Sequence, residues 1–334
     1  MAVSPGDILT RAARPPDHVL RYGPGPEQVA DLRLPPAERI AEKGEPTVLN
    51  SGKESETCGG ADSDAGPGAP GPDSGGLDGM EVEGRPGAGC PLVIFLHGGF
   101  WRSAYDRTHV GPLSEALAAA GFAVCAPEYR RTGQPGGGWP GTFDDVAAAV
   151  DALPEIAAQA SGGVADASRV VLAGHSAGGH LALWAASRDR LSASAPWRAR
   201  PPSRPAVAGV VSLAGVCDLA ACYRLGLDGD AAGDLMGGGP ERFPDRYRAA
   251  DPMSLVPAAA PAWLVHGTVD NRVPDSQSRE YTDRAAAAGG QVHVEVLPGC
   301  GHFELIDPLS AVWPAVLGAF RAAAGGQAIP GLAG

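Results

Sequence analysis

The chain has 334 residues, and 26 Lys and Arg set against 38 Asp and Glu give a net charge of −12. Its 48 glycines and 32 prolines exclude a long coiled coil or an all-helical bundle, while 44% hydrophobic and 19% charged residues suit one large α/β domain or two modest ones. The acidic balance, with no basic cluster beyond pairs such as Arg130-Arg131, argues against nucleic acid or an anionic membrane as partner. The opening stretch MAVSPGDILTRAARPPDH lacks the basic start and apolar run of a secretory signal, and no apolar run approaches the roughly 18 residues of a membrane span, so a cytoplasmic location is expected. Six cysteines without a CxxC pair suit reduced thiols better than a disulfide frame or a zinc site.

HVLRY (18–22) and QVADLRL (28–34) alternate around a Gly-Pro turn and predict an antiparallel hairpin within residues 1–40. Residues 41–90 break the composition: positions 51–90 hold 12 Gly, 4 Pro and 8 acidic against 2 basic residues. Such a stretch buries too little apolar surface to offset the entropy of ordering it, and it is expected to be a disordered insertion carrying half of the net charge. Its GPGAPG, formally GxGxxG, has neither the preceding strand nor the following helix of a nucleotide site and is expected to be linker.

From residue 91 to about 325 the pattern becomes strand then helix. PLVIFLH (91–97) reads as a buried strand, 110–120 as a helix and FAVCAPEY (122–129) as a strand. Thr142, with Asp144 and Asp145 behind it, reads as the N-cap of a helix running to about 158. Strands at 169–174, 207–213, 262–267 and 291–297 alternate with helices at 177–188, 275–288 and 308–324. Apolar strands alternating with amphipathic helices predict an α/β fold with a doubly wound, mostly parallel sheet. Residues 218–255 break the rhythm and are expected to form a small cap over the sheet's carboxyl edge; 326–334 read as a flexible tail.

Gly174-His175-Ser176-Ala177-Gly178 falls where an apolar strand ends and a helix begins, the setting in which a GxSxG serine is lifted out of a sharp turn. A serine nucleophile needs a base, and the base an orienting carboxylate. His302 in PGCGHF and Asp270 in HGTVDNRVP both lie just past strand ends on the edge where Ser176 emerges, with Asp275 and Asp307 as rival acids. His97-Gly98-Gly99-Phe100-Trp101 follows the first long buried strand; the amides of Gly98 and Gly99, joined by that of Ala177, are candidate donors to a developing oxyanion. Phe100, Trp101, Trp139 and Tyr223 are candidates to line an acyl or aryl pocket, though aromatics here are as readily core. His175 flanks the serine and is a further candidate for contact with the substrate, while His180 is expected to pack and His97 to brace the glycine loop. Cys217 and Cys300 lie near the site without the serine's turn.

HGGFW, GHSAGG, HGTVDNRVP and GCGH resemble the α/β-hydrolase fold, in particular the esterase and lipase-like branch. HGGxW is similar to the motif of kynurenine formamidases and of feruloyl and acetyl xylan esterase-like proteins. The resemblance covers about 18–34 and 90–324. It implies Ser176 as nucleophile, His302 as base, Asp270 as its partner, and Gly98, Gly99 and Ala177 as oxyanion donors, with no metal or organic cofactor. Three functions are open: hydrolysis of small-molecule carboxylic esters through an acyl-enzyme, hydrolysis of an aryl formamide such as N-formylkynurenine, and a catalytically silent binding module. The substrate within these classes and the oligomeric state are not specified by the sequence.

Overall fold

A computed structural model of the chain describes residues 5–37, 89–199 and 207–325. The insertion and tail expected at 41–90 and 326–334 lie outside these residues, except for Gly89 and Cys90. Cys90 belongs to the sheet instead: its N–H donates to Val164 O at 2.7 Å and it pairs with Ala165.

A short helix α1 (Pro5–Leu9) precedes the hairpin of β1 (His18–Arg21) and β2 (Val29–Arg33), whose turn is closed by Tyr22 N–H to Gln28 O at 3.1 Å. Strands β3 (Cys90–Leu96), β4 (Ala123–Pro127), β5 (Ala165–His175), β6 (Val207–Leu213), β7 (Ala262–Gly267) and β8 (Val292–Leu297) complete one eight-stranded sheet. Its order is β1-β2-β4-β3-β5-β6-β7-β8, parallel from β4 to β8, with β2 antiparallel to both its neighbours. The side-chain alternation of the strands divides the core in two. Leu92, Ile94 and Leu96 of β3 face the cluster formed with α3 (Gly141–Ala160), α4 (Ala177–Ala186) and α8 (Ser276–Ala287). Val93 and Phe95 face the opposite cluster, with α2 (Gly111–Ala119) and α9 (Trp313–Ala323). Burial on both faces is why β3 reads as an unbroken apolar run.

Two helix starts differ from expectation. Thr142 lies inside α3 rather than capping it: its hydroxyl donates to Arg130 O at 2.6 Å and accepts from Gly138 N–H at 3.1 Å, while Asp145 takes the Arg130 guanidinium. The last helix begins at Trp313, because Asp307 accepts the Leu309 N–H at 2.9 Å and holds residues 307–310 in a turn. Residues 218–255 form α5 (Leu219–Arg224), α6 (Ala231–Met236), α7 (Pro244–Ala250) and a 3-10 turn. These helices rest on α4, where Trp184 Nε1–H donates to Ala249 O, and on the loop before α3, where Trp139 N–H donates to Leu235 O. No described helix is long and apolar enough to cross a membrane, and the five described cysteines are buried.

Candidate active site

Ser176 joins β5 to α4 at φ 56° and ψ −119°, left-handed backbone that costs a non-glycine residue about 1–2 kcal/mol. The flanking glycines make this turn possible. A Cβ on Gly174 would stand 2.2 Å from Gly178 O, and one on Gly178 would stand 1.9 Å from Leu96 O. The turn is held by Ser176 N–H donating to Leu213 O at 2.8 Å and by Ser176 O accepting from His180 and Val216.

His302 and Asp270 come from adjacent loops at the ends of β8 and β7. Gly267 permits that contact, since a Cβ there would stand 2.1 Å from Cys300 O. Thr268 N–H to Leu297 O and Val269 N–H to Cys300 O stitch the loops together. His302 Nδ1 then meets Asp270 Oδ2 at 2.6 Å, while Asp270 Oδ1 accepts the N–H groups of Arg272 and Val273 at 2.8 and 2.9 Å. His266, which the sequence did not single out, places Nε2 3.4 Å from the same Oδ2 and donates to Val273 O at 3.0 Å. Burial pushes the Asp270 carboxyl up, but hydrogen bonds from His266 and His302, with the charge on His302, outweigh it and hold the carboxyl well below the usual range. The rival acids are engaged elsewhere: Asp275 pairs with Arg279 at 2.9 Å, and Asp307 pairs with Arg11.

The glycine loop carries Gly99, Phe100 and Trp101 in succession at φ 109°, 48° and 56°. Two buried networks fix it. His97 stacks on Tyr129 at 4.4 Å, with Nδ1 2.9 Å from Gly98 O and Nε2 2.7 Å from Glu128, which also meets Arg131 at 3.2 Å. Trp101 is fully buried; its Nε1–H donates to His180 Nδ1 at 3.2 Å, and His180 Nε2–H donates to Ala250 O at 2.9 Å. Burial lowers the His180 pKa to about 4, so this ring is neutral. His97 thus braces the loop, and His180 packs and relays a hydrogen bond. Gly98 lies against the Ser176 turn, where an added Cβ would come within 3.3 Å of Ser176 Cβ. Among the described residues none accepts from the N–H of Gly98, Gly99 or Ala177.

Ser176 and His302 line one cleft, together with Gly99, Phe100 and His175. Burial holds the His175 pKa well below that of a free imidazole, and its Nε2–H donates to the His302 carbonyl at 3.0 Å. Leu9, Tyr105, His109, Arg272 and Phe303 complete the lining and were not anticipated. Phe303 and Arg272 stand next to motif residues, a signal that was available; Leu9 had none. Of the other pocket candidates, Trp101 is core, Trp139 packs among Phe143 and Trp197, and Tyr223 packs against Tyr247; none lines the cleft. Residues 218–255 reach its rim through Asp228, which accepts from Arg272 at 3.3 Å and Arg102 at 3.0 Å. No cluster of three or more His, Cys, Asp or Glu among the described residues is placed to hold a metal ion.

The BD-FAE family model matches residues 82–284, more than half of the chain. Esterase LipC of Mycobacterium tuberculosis is 30% identical over 237 residues, 69% of this chain and 57% of that protein. Isoprenylcysteine alpha-carbonyl methylesterase ICME of Arabidopsis thaliana is 28% identical over 240 residues, 66% of this chain and 52% of that protein. The chain therefore spans little more than half the length of these curated relatives. Among solved structures, the apo form of Thermogutta terrifontis esterase 2 superposes with a TM-score of 0.59 at 19% identity, over 93% of this chain and 96% of that one. Sheet order, sequence match and structural likeness agree: the chain belongs to the BD-FAE family of esterase-type α/β-hydrolases.

Proposed function

We propose that the protein is a serine hydrolase of small-molecule carboxylic esters, with Ser176 as nucleophile, His302 as general base and Asp270 as its orienting acid. The observation that carries this reading is the 2.6 Å pairing of His302 Nδ1 with an ionised Asp270, in a cleft that His302 shares with Ser176. Esters are favoured as substrate by the relatives: LipC and LipQ of Mycobacterium tuberculosis, each 30% identical to this chain, are esterases.

With Nδ1–H bonded to the carboxylate, Nε2 is the basic nitrogen. It takes the Ser176 hydroxyl proton as Oγ attacks the acyl carbonyl. The amides of Gly98, Gly99 and Ala177 receive the oxyanion, each donor contributing about 3–4 kcal/mol to the transition state. His302 then delivers its proton to the departing alkoxide, and water repeats the sequence on the acyl-serine. Ser176→Ala lowers kcat by about 10⁶ on p-nitrophenyl acetate with the fold retained, and a fluorophosphonate adds one adduct mass at Ser176 in wild type alone. Residual kcat within tenfold of wild type overturns the assignment. N-formylkynurenine run beside the esters separates the formamidase reading: a higher kcat/KM on it would replace ester by aryl formamide as the substrate class.

A further inference from the structure

We propose that the segment before β1 forms a wall of the substrate cleft, and that Leu9 is a specificity-determining residue limiting the size of the aliphatic group the cleft accepts. This rests on the ester reading and extends it to residues far from every motif. Leu9 lines the cleft with Ser176 and His302, half-buried against the core face built on β3, α2 and α9.

The segment is pinned along its length. Ile8, one residue before, is buried in that same cluster. Arg11 grips Asp307 with both ends of its guanidinium, the second contact being Nη2 to Oδ2 at 3.2 Å, and Asp307 lies five positions beyond His302. The wall is thereby tied to the loop that carries the candidate base. Further along, the Arg14 N–H donates to Glu115 at 3.1 Å, Arg33 donates to Arg14 O at 2.5 Å, and the Asp17 N–H joins Leu32 O at 2.9 Å. These bonds hold the backbone that carries Leu9 in place, so the segment stands as a fixed wall at the cleft. Leu9, Phe100 and Phe303 make the apolar sides of the cleft.

The test measures kcat/KM for two ester series, one lengthening the acyl chain under a constant leaving group and one lengthening the alcohol over a constant acyl group. Each methylene newly taken out of water is worth about fourfold. In Leu9→Ala the long-to-short ratio therefore rises about tenfold or more in one series, and that series identifies the group lying against the wall. In Leu9→Trp the same ratio falls. Leu309→Ala, an exposed side chain near Asp307, leaves both ratios at the wild-type value. Ratios within twofold of wild type for both Leu9 variants, in both series, overturn this inference and leave the ester reading standing. If wild type turns over no ester at all, the ester reading fails and takes this one with it.

Discussion

Asp270→Asn tests the candidate acid, because the carboxylate is anchored unequally. Its Oδ1 serves two backbone N–H groups, from Arg272 and Val273, and its Oδ2 serves His302 Nδ1. An asparagine keeps its oxygen toward the two amides, since the reverse orientation would set an NH₂ against two N–H donors. The side-chain NH₂ then faces His302 Nδ1, and the imidazole responds by carrying its proton on Nε2, the nitrogen that has to accept from Ser176. The base is locked in the wrong tautomer while the volume of the side chain hardly changes. A loss of about 10⁴ in kcat follows, equivalent to about 5.5 kcal/mol in the barrier, with KM changed only a few-fold because residue 270 does not line the cleft. Initial rates on p-nitrophenyl acetate at pH 7.5, with a thermal melt to confirm folding, measure it. A folded variant whose kcat stays within tenfold of wild type would show that Asp270 does not set the His302 tautomer.

Two further outcomes concern stability. His109 and His180 are buried with pKa values lowered to about 4, each chiefly by burial, so the folded state binds fewer protons than the unfolded chain. Their contribution is complete above the unfolded histidine pKa of about 6.5 and is lost as pH falls toward 4, at roughly 3 kcal/mol each; burial of the Asp251 carboxyl, raised to about 7, works in the opposite sense and offsets part of the loss. Guanidinium midpoints should fall between pH 6.5 and 4.5, and a constant midpoint there refutes this. Gly178→Ala places a Cβ 1.9 Å from Leu96 O and 2.6 Å from His97 O, both backbone atoms that cannot rotate away. A cost above about 4 kcal/mol is expected, read as failure to fold or a large drop in melting temperature, and an unchanged melt refutes it.

The parts of the site legible in the sequence are those whose chemistry is local. Gly174 and Gly178 bracket Ser176 because the turn admits no Cβ there, and Gly267 precedes Asp270 because two loops cross. A reader who knows what a strained turn requires finds these residues in the string. The sheet was legible for a similar reason: strands buried on two faces stay apolar throughout, and the polar alternation of 18–34 marks the hairpin that covers the edge of β4. The aromatics were not legible. Trp101 and Phe100 are neighbours at nearly the same φ, yet one ring is core against His180 and the other lines the cleft, a choice made by packing that no spacing records. The cleft's wall was less legible still, since Leu9 belongs to no motif and meets the site only after the whole sheet has formed.

Three of the five described non-glycine residues at positive φ lie on the two segments that would meet a tetrahedral oxyanion; the other two are Ala214 and Asp228. Phe100, Trp101 and Ser176 all hold positive φ, a local cost of about 1–2 kcal/mol each. Much of the compensation comes from groups contributed by other elements. Glu128 and Tyr129 after β4 hold His97, Thr132 holds the Trp101 carbonyl through two 2.8 Å bonds, and His180 on α4 takes the Trp101 indole. Because His180 stands four residues after Ser176, on the helix that Ser176 opens, the glycine loop and the Ser176 turn are fastened to each other. Such coupling matters for an oxyanion hole, whose donors act by standing ready before charge develops rather than by turning toward it afterwards. The strain and the network therefore belong together: the network fixes a backbone conformation that an isolated loop would relax, and it does so in the two segments that carry the proposed oxyanion donors Gly98, Gly99 and Ala177.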